Sequence, residues 1–262
     1  MNTQAIDSLV SSRQLTVFLL ILLRLSILFT VMPLLSSKNF PGQFKIGLAM
    51  SMAYMLMPIV KFDLADEHIA SVVAREVLLS VVMGGSVRFV FNSVNIAGQM
   101  MSNAMGLSVA TAFDPEFGQS DEIARLFGII ATLLFFAMDA HHELIYMIVK
   151  SFEIAPPSSA VNIDGLVRES ISGAGRAFVL ALKLCAPVVV GMLVAHLMLG
   201  FIYKAAPQIN IFFVSFPIFI YAGLLILLLS LPLFVSVMGG YYGGIGNVLD
   251  RILLIARAGG KI

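Results

Sequence analysis

Charge is scarce in this chain. Asp, Glu, Lys and Arg together make up 12% of its 262 residues, about half the ~25% of an ordinary soluble domain. With 59% hydrophobic residues and a mean hydropathy of +0.98, the soluble class is excluded. Tryptophan is absent, so any aromatic belt at a membrane interface rests on Tyr and Phe. A single cysteine, Cys185, excludes an intrachain disulfide, and its place inside an apolar run reads as a small buried hydrophobe. The net charge is +1 with no basic block, which argues against nucleic acid as a partner. Neither a phosphate-cradling Gly-Lys-Ser/Thr loop nor a Gly-x-Ser-x-Gly elbow is present. Alternating segments of about ten residues, the mark of a membrane β-barrel, are missing too, and no short-period repeat is visible.

What remains is a succession of apolar zones, roughly 15–35, 44–60, 72–113, 126–149, 177–202 and 211–238. They predict an all-α, integral membrane-class protein. The first is too long for a signal-peptide core, holds Arg24 and lacks a small-residue cleavage site, so it is expected to be a retained helix. Few zones are clean. Leu126–Met138 offers thirteen residues before Asp139, about 20 Å of helix against a hydrocarbon core of ~30 Å. Lys183 and His196 interrupt the fifth zone, and Pro217 and Pro232 invite kinks in the last. Ser151–Arg176 is the longest polar connection, with Asp164 as the expected cap of a helix through Glu169 and Ile171. By the positive-inside rule Lys38 and Lys45 mark one cytoplasmic connection, and Arg251, Arg257 and Lys261 mark another. Six simple spans would put these on opposite sides. The pattern therefore favours bent hairpins packed mainly against protein over a simple transmembrane bundle.

A polar stripe marks the third zone. Arg88, Asn92, Asn95, Gln99, Ser102 and Gly106 follow one another at intervals of 4, 3, 4, 3 and 4 residues, which places them on one helical face. Between them lie Phe89, Val90, Phe91, Val94, Ile96, Ala97, Met100 and Met101. Such a stripe is costly in lipid, so it faces a partner helix or a wet cavity; a buried seam between helices and the wall of a conduit are both consistent with it. The stripe leads into Leu107–Gln119, a small-residue, apolar loop turned at Asp114-Pro115. Irregular backbone at membrane depth is tolerated only where it is buried in protein or lines a cavity.

Asp139, His141, His142 and Glu143 form the one cluster with metal-site or acid–base character. Tyr146 stands where a zinc-protease helix needs a second His, and a polar turn between helices explains the cluster better. No catalytic set is found, so the chain is expected to be no enzyme and to need no cofactor or metal. Two other classes compete with a conduit component. One is a secondary transporter or ion channel for a small solute, with Arg24, Arg88, Lys183 and His196 as pathway residues. The other is an intramembrane hydrolase using His142, Glu143 and His196, which the missing ligand spacing disfavours.

Several blocks together resemble the FliR family of the flagellar type III protein-export gate, whose counterpart in virulence secretion is SctT. They are Arg24 with Met32-Pro33; Phe40-Pro41 through Lys45-Ile46-Gly47; Glu76 and Gly84; Ala97-Gly98-Gln99 through Met105-Gly106; Ala112-Phe113-Asp114-Pro115; Pro187, Gly191 and Gly200; Ala206-Pro207-Gln208-Ile209-Asn210-Ile211-Phe212; and Phe216-Pro217 with Gly223. The resemblance covers essentially the whole chain. It implies one copy in a heteromeric helical stack of bent hairpins with P-type and Q-type subunits, and a conduit for unfolded flagellar proteins across the bacterial inner membrane within the basal body. A membrane-bound, B-type substrate-switch subunit is a further implied partner. Residues 1–155 would be a P-like portion, 156–164 a linker, and 165–262 a Q-like hairpin and tail in which Pro207 and Ile211 replace a Thr and a Glu of the Q-type pattern.

The resemblance also implies that the loop at 107–119 plugs the closed gate. The plug residues would be Leu107, Ser108, Val109, Ala110, Thr111, Ala112, Phe113, Asp114, Pro115, Phe117 and Gly118. The stripe from Arg88 to Gly106 would orient the plug or line the pathway. Pro207, Gln208, Ile209, Asn210, Phe216 and Pro217 are the expected subunit interface, with Gln208 and Asn210 hydrogen-bonding to a neighbouring subunit.

Overall fold

The computed structural model describes residues 3–31, 41–60, 68–107, 122–157, 159–205, 208 and 211–257, with side chains from 14 in the first segment and from 214 in the last. Among them every regular element is an α-helix: α1 Thr3–Val31, α2 Gly42–Leu56, α3 Ile69–Ala104, α4 Glu122–Ala137, α5 Ala140–Ile154, α6 Ile163–Ala205, α7 Ile211–Gly243 and α8 Ile245–Arg257. Among the described residues, four stretches are long and apolar enough to cross a membrane: Gln14–Val31, Ile69–Ala104, Ile163–Ala205 and Val214–Arg257. A fifth crossing arises if α4 and α5 make one broken span. The expected all-α membrane protein is what the chain forms.

Helix lengths depart from the apolar zones. At ~1.5 Å per residue the 36 residues of α3 and the 43 of α6 run about 54 and 65 Å, well beyond a ~30 Å hydrocarbon core. Much of the polar connection expected at Ser151–Arg176 is helix, because α6 starts at Ile163. Its cap is Asn162, whose Oδ1 accepts the Gly165 N–H at 2.9 Å; Asp164 lies one residue inside the first turn, where its charge favours the helix dipole. Both α6 and α7 continue through their prolines, Pro187 in one and Pro217 and Pro232 in the other. The break expected at Asp139 is real: α4 ends at Ala137, and Asp139 takes a left-handed conformation with φ 55°.

The helices fall into two compact units. The first comprises Met1–Phe89, Asp139–Ala174 and Gly244–Ile262. In it α1 packs on α2, which turns Ala49, Ala53 and Leu56 inward at helical spacing. α8 is amphipathic and lies on α5, burying Ile245, Leu249, Ile252, Leu253 and Ala256. Lys150 pairs with Asp250 at 2.8 Å, and the Asn162 N–H donates to the Ala256 carbonyl at 3.1 Å. The second unit comprises Val90–Met138 and Gly175–Gly243. There α3 and α4 meet where Gly98 faces Ala124 so closely that a Cβ on Gly98 would fall on the Ala124 backbone. Phe91, Phe135 and Tyr242 form an aromatic cluster with centroids 5.4 to 6.0 Å apart, and Phe127 sits edge-on to Phe234. The Tyr242 hydroxyl donates to the Ala131 carbonyl at 2.9 Å.

Candidate functional site

The polar stripe can now be placed residue by residue. Along α3, Leu79, Met83, Val87, Val94, Ala97 and Met101 are buried, while Arg88, Asn92, Asn95 and Gln99 are exposed. These four share one face that none of the described residues covers. Toward the N-terminus the same face continues through Ala70, Ala74, Val77 and Val81, all exposed. One side of the helix is therefore apolar over its first part and polar over its second. Ser102 turns inward at 4% exposure, and Asn103 takes the outward position beside it.

Gly106 lies past the end of α3. Its φ of +76° and the bond from its N–H to the Asn103 carbonyl, 3.1 Å, close the helix with a left-handed cap. Only glycine adopts that conformation without a Cβ penalty. Leu107, the first residue of the expected plug, is half-buried. Ser108, Val109, Ala110, Thr111, Ala112, Phe113, Asp114, Pro115, Phe117 and Gly118 lie outside the described residues, as do Pro207, Ile209 and Asn210. Of the expected interface set, Gln208 and Pro217 are exposed and Phe216 is half-buried.

A second constellation was not assembled from the sequence. Arg24, at 0% exposure, is held by Glu76, itself 2% exposed. Arg24 Nε donates to one carboxylate oxygen at 2.7 Å and Nη2 to the other at 2.6 Å. Nη1 donates to Ser151 Oγ at 2.9 Å, and Nη2 also reaches the Ala155 carbonyl at 2.8 Å. The guanidinium lies 4.1 Å over the Phe152 ring. Four hydrogen bonds thus join α1, α3 and the end of α5, where helical carbonyls lack intrahelical partners. The carboxylate neutralises the charge and the fork geometry is bidentate, the conditions under which a buried ion is tolerated. Arg24 and Glu76 were each noted in the sequence, but 52 residues separate them and no periodicity links them.

This pairing bears on the pathway residues of the transporter reading. Arg24 is buried and makes four hydrogen bonds, whereas Arg88, Lys183 and His196 are exposed. His196 stacks on Phe219 at 3.9 Å, with Nδ1 2.6 Å from the Met192 carbonyl. Cys185 is buried, with its Sγ 3.8 Å from Met100 Sδ. In the Asp139–Glu143 cluster, Asp139 and His142 approach to 3.4 Å, and the Glu143 carboxylate packs on Gly246 at the start of α8.

Comparison with known proteins adds a separate line. The family described as "Bacterial export proteins, family 1" matches residues 15–244. The flagellar biosynthetic protein FliR of Caulobacter vibrioides is 30% identical over 224 residues, covering 83% of this chain and 89% of the relative. The proteins of the same name from Pectobacterium carotovorum and Escherichia coli K12 are 29% and 28% identical, each spanning 88% of this chain and 90% of their own length.

Proposed function

Because this chain belongs to the bacterial export proteins of family 1, the FliR family, we propose that it is a non-enzymatic core subunit of the flagellar type III export gate. It forms part of the conduit that passes unfolded flagellar proteins across the bacterial inner membrane, inside the basal body. The observation that carries this reading is the outward face of α3. Four polar side chains stand uncovered on a helix apolar enough to cross a membrane, and such groups at that depth require protein or water beside them. α6 and α7 likewise carry large apolar residues far outward, among them Phe201 at 73%, Tyr221 at 82% and Leu229 at 72% exposure. Unlike subunits of P and Q type would cover these surfaces together with lipid.

In this reading residues 1–155 play a P-like part and 165–262 a Q-like part. Arg88, Asn92, Asn95 and Gln99 face the lumen or a neighbour, and 107–119 plugs the resting gate. Residues 207–210 with Phe216 and Pro217 meet the adjacent subunit, and a B-type substrate-switch subunit docks on the assembled stack. Native mass spectrometry of the tagged chain, co-expressed with the membrane-protein genes beside its own, tests the proposal. One copy in a large complex of unlike small membrane proteins is expected. A monomer or homodimer, recovered with those partners present but unbound, would replace the gate with a self-sufficient transporter or channel.

A further inference from the structure

At the start of α5 three metal-ligating side chains converge. Asp139, His141 and His142 bring one donor atom each to within 4.8 Å of one another. The imidazole rings are 4.1 Å apart, and Asp139 Oδ1 lies 3.4 Å from His142 Nδ1. Asp139 and His142 are exposed and His141 is half-buried, so the donors can be reached from solvent. Asp139 is the N-cap residue of α5, where a carboxylate ordinarily accepts a backbone N–H of the first turn, yet it makes no such bond. Its backbone carbonyl accepts the His142 N–H at 2.9 Å. The carboxylate is left beside the imidazole. Among the described residues Asp139 is also the one non-glycine with positive φ, a conformation Asp adopts more readily than most residues. That turn gathers three donors from four consecutive positions at one helix end.

We infer that Asp139, His141 and His142 bind a borderline divalent transition metal ion of the zinc or nickel class. Imidazole nitrogen with a carboxylate oxygen is the donor set such ions select; calcium and magnesium call for oxygen ligands throughout, and copper(I) for sulfur. Three protein donors leave coordination positions for water. The missing second His of a protease-type His-Glu-x-x-His helix is no obstacle, because here the ligands are the N-cap residue of α5 and two residues of its first turn, not positions i and i+4 of one helical face. The site does not depend on the export-gate reading.

The test uses the full chain in detergent micelles, purified through a streptavidin-binding tag rather than polyhistidine, stripped with chelator and titrated calorimetrically with Zn²⁺. The parent is expected to bind one equivalent that the His68→Ala/His196→Ala variant, which lacks the other two histidines, retains. His141→Ala/His142→Ala should lose that equivalent. Asp139→Asn, which keeps a residue suited to the left-handed turn, should bind at least tenfold more weakly while eluting as a monodisperse peak. Cobalt(II) absorption bands that appear in the parent and fade in Asp139→Asn would give a second readout. Parent-like binding by His141→Ala/His142→Ala, loss of binding in the His68/His196 variant, or no binding by the parent would each overturn the assignment.

Discussion

Removing one partner of the Arg24–Glu76 pair should do far more damage than removing both. Arg24→Met leaves the Glu76 carboxylate buried without the two N–H donors it now has at 2.6 and 2.7 Å. Glu76→Ala leaves a buried guanidinium with only Ser151 Oγ and the Ala155 carbonyl to accept from it. Breaking a buried pair in this way costs about 3–5 kcal/mol. Set against a total stability of roughly 5–15 kcal/mol, either single variant should lose a large share of its folded margin. For a chain of this size that corresponds to a fall in melting temperature of roughly 6–20 °C. Arg24→Met combined with Glu76→Leu removes both charges and fills much of the space. Ser151 Oγ keeps its own bond to the Ile148 carbonyl, so one acceptor, the Ala155 carbonyl, is left short. The double variant should therefore lie within about 1–2 kcal/mol of the parent. Because the chain has no tryptophan, the assay is thermal unfolding of a fluorescent-protein fusion in detergent, followed by size-exclusion elution. A double variant as impaired as the sum of the singles, or single variants within about 3 °C of the parent, would refute the reasoning.

Three further outcomes are expected. Gly98→Ala should destabilise the chain more than Gly191→Ala, since the new methyl meets the Ala124 backbone in one case and the end of the Ile226 side chain, at 2.6 Å, in the other; equal melting temperatures would contradict this. Tyr242→Phe removes the donor to the Ala131 carbonyl and should cost about 1 kcal/mol, seen as a melting shift of roughly 2–4 °C with the aromatic packing kept. Deleting 108–117 should raise ion leakage through the assembled gate in a conductance or ion-flux assay, whereas a gate as tight as the parent's would remove the plug from the proposal.

Local features of the fold were legible in the sequence, and long-range ones were not. The 4-3-4 spacing from Arg88 to Gln99 placed four residues on one face because helical geometry depends only on separation along the chain. Asp139 announced a break because a short apolar run met a cluster of polar residues. The start of α6 was misplaced: both Asn162 and Asp164 are good caps, and only the bond from the Gly165 N–H chooses between them. Pro217 and Pro232 invited kinks in the last apolar zone, and α7 runs on through both, as α6 does through Pro187. Neighbouring helices and local adjustments re-satisfy the freed carbonyls in apolar surroundings, a tertiary effect that no window of sequence contains. The partnership of Arg24 with Glu76 depends on packing across 52 residues, and the Gly98–Ala124 approach on the crossing of two helices.

The changing face of α3 also fixes a register along the helix. From Val81 to Arg88 the outward side passes from aliphatic to ionic in seven residues, about 10 Å along the axis. Sliding the helix one turn in either direction, about 5.4 Å, would set Arg88 against the apolar surroundings that suit Val81, or Val81 and Val77 against the polar surroundings that Arg88 requires. An unpaired arginine in hydrocarbon costs a few kcal/mol. In the proposed gate, a neighbour packed along α3 would therefore have to change from apolar to polar at one register, between Val81 and Arg88.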